Sequence, residues 1–456
     1  MKNNNWLPIP YSDLRTFLNF LKSKSLLKHI SRQVKTKYEI AAGIRKISDE
    51  DGPVLLFEDI QGFDMPVVGG VFATRRLSLL ALGVNDYGEA VSRFGYGIEH
   101  PLAPDVVKGA PCQEIVYKGE KADVLQFPHP IYSEGDSGPF ISSGVIITRD
   151  PDTGIQNAGI YRMEVKGPHT LCLEAPNYQH VSIARLKAEA RGKPLEIAVA
   201  IGADPIIYYA SQAKVGYGVD EIEIAGGIRG HPIKVVHGVT VDLNIPASAE
   251  IVIEGEFILG EQMMEGPFGE FTGYQTASQK EPVIRIKAIT HRKKPIYQAV
   301  LTGKPTTENH ILKTFGFDYS LLRFLRMQFP EVTAATVPTC GGVQYLAVVA
   351  IHQDHAGQAR KVLLATLASP IRTKVAIVVD SDVNIFNIEE VMWAVSTHSQ
   401  ADTDVLIIPG VAGSKIDPSS PKPGVVALLG IDATRPIDHP FPPQVTNPGV
   451  ETFNFD

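Results

Sequence analysis

The chain has 456 residues, of which 44% are hydrophobic and 20% charged, with a formal net charge of −7. That is the composition of a globular protein of roughly two or three domains, and it excludes the basic footprint of a nucleic-acid-binding protein. Cys112, Cys172 and Cys340 lie far apart with no Cys-x-x-Cys, which argues against a disulfide framework or a thiolate metal site. The first ten residues are polar and no apolar run is long enough to span a bilayer, so a cytoplasmic protein without a membrane partner is expected.

Leu14, Phe17, Leu18, Leu21, Leu26 and Leu27 recur at helical spacing. They predict a helix over 13–28, capped by Ser12 or Asp13. A second amphipathic helix is predicted over 38–47, and Gly52-Pro53 stops it. Strands follow at Val54–Phe57 and 65–71, and then a largely helical stretch over 77–96. Residues 1–110 therefore read as a small α/β unit. Over 111–305 the pattern is mostly strand, at 114–117, 144–148, 159–165, 170–173, 195–201, 233–236, 251–255, 283–287 and 296–300. Helices interrupt at His180–Ala190 and 220–226. Many short strands with turns between them predict an antiparallel barrel or split barrel. Over 306–456, buried strands at 346–351 and 375–379 alternate with helices at 355–367 and 388–396. This predicts a separate α/β domain, with a tail from Pro418 packed on a surface or a partner subunit. The whole reads as an α+β fold.

The chemistry is expected in Glu265-Gly-Pro-Phe-Gly-Glu270-Phe-Thr-Gly-Tyr274. Gly and Pro at that density form tight turns that fix side-chain direction. Phe268, Phe271 and Tyr274 would bury the neighbourhood. Burial disfavours a charged carboxylate, so the pair could act as a general acid and its modulator. A solvated acidic loop is the competing reading. Arg162 lies among apolar neighbours and needs a partner, either Glu265 and Glu270, an anionic substrate, or a surface carboxylate.

Asn157, His180 and Glu221 fall at the starts of a strand and two helices. An amide oxygen, an imidazole and a carboxylate suit Mn²⁺ or Mg²⁺ better than Zn²⁺. Plain turn and structural roles compete for each of them. His310 and Lys313 read either as substrate contacts or as a solvated helix face.

The chain resembles the UbiD family of reversible decarboxylases. The resemblance covers nearly its whole length and rests on ordered motifs: Asn157-Ala-Gly-Ile-Tyr-Arg162, Gln179-His180, Gly202-Ala-Asp-Pro205, Asp220-Glu-Ile-Glu-Ile-Ala-Gly-Gly227, Ile245-Pro-Ala-Ser-Ala-Glu-Ile251, the 265–274 stretch and Val379-Asp-Ser-Asp-Val383. It implies a flavin-binding split barrel at 111–305 and a C-terminal domain at 306–456 with a dimerisation role. It implies prenylated FMN as cofactor, supplied by a flavin prenyltransferase, with Mn²⁺ held by Asn157, His180 and Glu221 and K⁺ nearby. Arg162, Glu265 and Glu270 match the catalytic set, Glu270 as proton donor and Arg162 orienting the carboxylate. Gly159, Ile160, Gln179, Ser211, Gln212, Ala213 and Lys214 match the flavin contacts, although relatives often carry Pro where Lys214 stands. Lys415 falls where relatives place apolar residues, and as a partly buried cation it would suit a polar substituent. The implied activity is reversible decarboxylation of an aromatic, heteroaromatic or α,β-unsaturated acid, releasing or fixing CO₂, in a homodimer or higher homo-oligomer. The alternative is an FMN-dependent oxidoreductase on the same barrel, which has no need of the Arg162, Glu265 and Glu270 set. A non-catalytic assembly or flavin-storage subunit is the third possibility, and a complete catalytic set argues against it.

Overall fold

The computed structural model describes residues 6–450 and 452–454. It is an α+β structure of several sheets, forming two compact units. The first unit holds the chain up to Ser320 together with Val337–Gln344 and Ser414–Gly424.

The first helix, Leu14–Ser23, begins where the Asp13 carboxylate accepts the Thr16 amide at 2.7 Å. The Thr16 hydroxyl in turn accepts the Asp13 amide at 3.0 Å, closing a reciprocal cap. Leu14, Phe17, Leu18 and Leu21 are buried on one face. The helix is shorter than the 13–28 spacing predicts. Ser25 takes φ 58°, and Leu27–Ile30 becomes a strand running parallel to Val54–Phe57. The 77–96 stretch is two helices, Arg75–Leu82 and Tyr87–Glu99, because Gly83 caps the first at φ 62°. A four-stranded sheet takes Leu27–Ile30, Val54–Phe57, Val67–Gly69 and Tyr297–Ala299 in that order. The 1–110 and 111–305 segments therefore share a sheet.

A larger sheet of nine strands carries the site. Its spine is the antiparallel pair Ile251–Glu265 and Gln279–His291, far longer than the predicted 251–255 and 283–287 strands. The predicted 159–165 strand is instead two strands, Gln156–Ile160 and Met163–Gly167. These occupy the eighth and second places along the sheet order. Six strand spacings in a flat sheet would separate them by about 29 Å. The three peptide steps from Ile160 to Met163 reach at most about 11 Å. The sheet must therefore curl until its ends meet, with Tyr161 and Arg162 bridging the seam. That curl is the barrel character expected from the strand pattern.

Helix Pro205–Ala210 is wholly buried and shows no amphipathic signal. Helix Glu308–Arg326 continues the chain after the barrel. The second unit is built on one five-stranded sheet, ordered Val332–Thr336, Leu346–Ile351, Val375–Asp380, Val425–Ala433 and Val405–Ala412. Val348, Ile377, Val379, Val391 and Ala394 form part of its core. The segment from Pro418 is not all tail, since it supplies the strand Val425–Ala433. Residues 437–450 are exposed.

Candidate active site

Arg162 sits at the seam between two strands and is 8% exposed. Its Nε donates to Glu265 Oε1 at 2.8 Å and its Nη2 to Glu265 Oε2 at 3.0 Å. This two-pronged contact is the geometry a guanidinium fork favours. Its Nη1 donates to Glu270 Oε1. Glu174 Oε2 lies 3.7 Å from the same Nη1. Phe268 covers the guanidinium face, 5.2 Å from Cζ to ring centroid. Burial opposes the charge on Arg162, but the Glu265 hydrogen bonds and the fields of Glu270 and Glu174 outweigh it and raise its pKa. The guanidinium is therefore a fixed cation.

The backbone holds the two carboxylates in place. Glu265 ends the long strand and is fully buried. Gly266 at φ 79° turns the chain, and its amide donates to Glu164 Oε2 at 2.9 Å. The Gly269 amide donates to Asp136 Oδ1 at 3.0 Å. The Glu270 amide donates to Tyr274 O at 3.0 Å, and the Gly273 amide returns to Glu270 O at 2.8 Å. The Glu270 side chain is folded down on its own turn, with Oε2 accepting the Phe271 amide at 3.0 Å. Phe268 and Phe271 are buried as expected, but Tyr274 is 64% exposed and covers nothing.

His310 is fully buried in the helix beneath this turn, so it is not on a solvated face. Its Nδ1 accepts from the Thr307 amide at 3.1 Å, and its Nε2 donates to Phe271 O at 2.8 Å. Both ring nitrogens are used within the chain, which leaves none for a substrate. Burial lowers its pKa to about 4, so the ring is neutral and serves to hold the Glu270 turn. Lys313 is half-buried one helical turn away, its Nζ 4.8 Å from the Phe271 ring centroid. Burial lowers its pKa, while Glu270 and Glu174 oppose that shift. Lys415 is exposed, which removes the reason for expecting it to seek a charged partner.

A second polar group lies on the other side of the seam. Asn157 Nδ2 stands 3.2 Å from His180 Nδ1 and 2.9 Å from Glu221 Oε1. Asn157 Oδ1 is buried with no hydrogen-bond partner. Turning the amide over exchanges the two atoms. The oxygen would then face the same point as the imidazole nitrogen and the carboxylate, a mixed donor set that fits a divalent cation. Burial pushes the Glu221 carboxyl up to about 8, the cost a cation would relieve, and lowers the pKa of His180, keeping it neutral as a ligand must be. Among the described residues no cluster of three His, Cys, Asp or Glu side chains could hold a metal, since the third donor here is an amide.

The flavin-contact candidates surround this group. Gly159 is buried, and an added Cβ would stand 2.6 Å from the Tyr161 ring. Ile160 and Gln179 are half-buried, and Gln179 precedes the helix that His180 opens. The Ser211 hydroxyl donates to Ile207 O at 2.7 Å. Gln212 and Ala213 continue as turns off helix Pro205–Ala210, their amides donating to Tyr209 O and Ala210 O. Lys214 is exposed, with Nζ 4.8 Å from the Phe317 ring centroid.

Two residues of the site carry no sequence signal of their own. The Glu174 carboxyl is pushed up to about 7 by burial, with Arg162 easing the shift. The Glu281 carboxyl is pushed up to about 7 by burial and by Glu174. The register Cys172↔Val283, continued two places, sets Glu174 opposite Glu281. Only the strand pairing could have revealed this.

Three profiles of one family match the chain in order. They are the N-terminal, Rift-related and C-terminal domains of 3-octaprenyl-4-hydroxybenzoate carboxy-lyase, over residues 18–94, 105–305 and 312–433. The chain belongs to the UbiD family. It is a carboxy-lyase of UbiD type. The UbiD-class enzyme HmfF from Pelotomaculum thermopropionicum, in complex with FMN, is 36% identical at a TM-score of 0.91, over 97% of this chain and 99% of that one. An evolved dimeric form of HmfF in complex with prFMN is 35% identical at a TM-score of 0.88, with the same coverage. Vanillic acid decarboxylase from Sedimentibacter hydroxybenzoicus, in an open form with truncated ShVdcD, is 31% identical at a TM-score of 0.88, over 97% of each chain. Among the described residues no helix is long and apolar enough to cross a membrane.

Proposed function

We propose that this UbiD-family chain decarboxylates an aromatic, heteroaromatic or α,β-unsaturated carboxylic acid without oxidation, and carboxylates the product at high CO₂. The observation that carries the reading is the division of Arg162 between Glu265 and Glu270. Prenylated FMN, when bound, supplies the electron sink that the departing CO₂ requires. The structures of HmfF with FMN and prFMN support that choice of cofactor. Asn157, His180 and Glu221 would hold Mn²⁺, which together with K⁺ would offset the charge of the cofactor phosphate. Gly159, Ile160, Gln179 and the 211–214 turn would line the flavin.

Arg162 orients the substrate carboxylate. Glu270 holds the proton that replaces CO₂ on the substrate carbon. Glu265 keeps Arg162 aligned, and Phe268 keeps water from its face. His310 fixes the floor of the Glu270 turn. Lys313 offers a cation at the edge of the same site, which suits a substrate with a polar or anionic substituent. A flavin prenyltransferase is the cofactor source and the setting is cytoplasmic; the evolved dimeric form of HmfF supports a homodimer or higher oligomer.

The test is a decarboxylation screen of the protein co-expressed with a flavin prenyltransferase. The panel holds hydroxybenzoates, furoate, pyrrole-carboxylate, furan-dicarboxylate and cinnamate. CO₂ release from at least one acid is expected. A fully flavin-loaded protein inert on every aryl and unsaturated acid would sink the reading.

A further inference from the structure

We propose that Glu174 returns a proton to Glu270 after each turnover, acting as a positioning and relay residue that shares the Nη1 edge of Arg162 with it. This rests on Glu270 being the proton donor. Decarboxylation consumes one proton: R–COO⁻ and H⁺ give R–H and CO₂. Once Glu270 has protonated the carbon it is a carboxylate pinned to a permanent cation. Something must restore its proton before the next substrate is protonated.

The geometry singles out Glu174 among the neighbouring acids. Glu265 is fully buried and both its oxygens are held in the Arg162 fork. Glu174 Oε2 lies 3.7 Å from Nη1, the nitrogen that also holds Glu270 Oε1. The two carboxyl groups thus border one nitrogen, which sets them side by side at the guanidinium edge. The Glu174 side chain is 20% exposed against 0% for Glu265, so it has an open side from which to recover a proton.

Its surroundings favour a held proton. Glu174 stands opposite Glu281 by strand register, and the Ala175 amide donates to the Glu281 carboxyl. Like charges directly opposite one another are unfavourable. Arg162, Glu265, Glu270, Glu281, Lys313 and Tyr161 are the titratable and charged groups that face Glu174. Four carboxyl groups thus confront two cations, and the surplus is relieved when one acid keeps its proton. Burial pushes Glu174 up to about 7, which leaves it able to donate near neutral pH. In the relay step the O–H bond of Glu174 breaks and an O–H bond forms on Glu270. Glu174 then takes a proton from water or buffer on its exposed side.

The experiment compares the first turnover with later ones in Glu174→Gln loaded with cofactor, by rapid quench. A first turnover within about 2-fold of wild type is expected, then a steady-state rate about 100-fold lower. The alkaline limb of kcat should move to lower pH, an added small weak acid should restore the rate, and Glu174→Asp should recover most of it. Independently of activity, infrared titration of cofactor-free protein should lose one protonated carboxyl band near neutral pH in Glu174→Gln. Glu281→Gln is the second variant. Removing the like charge should move the alkaline limb the same way, with the first turnover unchanged. Equal slowing of first and later turnovers, or an unshifted pH profile at full rate, would overturn the relay. Glu270→Gln run alongside separates the two ideas. If it still turns over, the donor assignment fails, whereas if it is dead while Glu174→Gln is unaffected, only the relay fails.

Discussion

Glu265 and Arg162, 103 positions apart in the chain, meet through two hydrogen bonds of 2.8 and 3.0 Å with both partners buried. Removing the fork would leave a fully buried carboxylate unpaired. Arg162→Lys keeps the charge but cannot make both bonds. We expect it to cost about 3–5 kcal/mol of stability and to abolish measurable turnover. Urea unfolding and single-turnover decarboxylation check the two effects. Wild-type activity in this variant would show that the fork does not orient substrate.

Glu270→Gln should lower kcat by at least about 100-fold while leaving flavin bound. The amide keeps the side-chain shape but carries no proton to give at this pH. The visible spectrum of the purified variant reports the cofactor, and its rate reports the chemistry. A near-normal rate would remove Glu270 from the donor role.

His180→Ala should lose metal and flavin together and keep a cooperative melting transition. In the proposed metal site the imidazole is one of three donors, and an incomplete set binds a cation poorly. Metal analysis and flavin content should both fall about 10-fold or more. Full flavin occupancy in the absence of metal would contradict the site.

Two buried histidines should oppose folding from about pH 6.5 downward, against the stabilisation that the raised carboxyls of Glu174, Glu221 and Glu281 gain as they take up protons. Burial lowers both His129 and His310 to about 4, and each uses both ring nitrogens as a neutral ring. Between about 4 and 6.5 the unfolded chain binds these two protons and the folded chain does not, so the histidines' contribution to stability falls as pH falls. Each ring contributes roughly 3 kcal/mol over the full window, of which about 2 kcal/mol is lost by pH 5. Between about pH 7 and about pH 5 the urea midpoint of His310→Gln should fall less, or rise more, than that of the wild type. An equal change in both would mean that His310 does not stay neutral on folding.

Gly273→Ala should disturb the turn that carries Glu270. Gly273 sits at φ 84°, and an added Cβ would lie 3.0 Å from the Lys304 backbone. The left-handed conformation alone costs a residue with a side chain about 1–2 kcal/mol. We expect that loss of stability with a fall in kcat and little change in flavin content. Thermal melts and steady-state kinetics on the loaded enzyme test it. A lower flavin content at unchanged kcat would place the effect elsewhere.

The ordered motifs from Asn157 to Tyr274 made the family legible without coordinates, because their residue types and spacing are local properties of the chain. The strand-rich middle, the helix cap at Asp13 and the turn chemistry of 265–274 were legible for the same reason. The break at Tyr161–Arg162 was not, because the run from 159 to 165 has strand character throughout and only the curling of the sheet requires two strands there. Helix Pro205–Ala210 is apolar on every side, so it shows no period to read. His310 reads in the sequence as a substrate contact or as part of a solvated helix face, and only the fold encloses it beneath the Glu270 turn. The roles of Glu174 and Glu281 depend on a cross-strand register between distant segments. Sequence thus determined which groups the protein has and the turns that aim them. Tertiary packing decided which carboxyls lie beside Arg162, because burial and pairing depend on the fold around them.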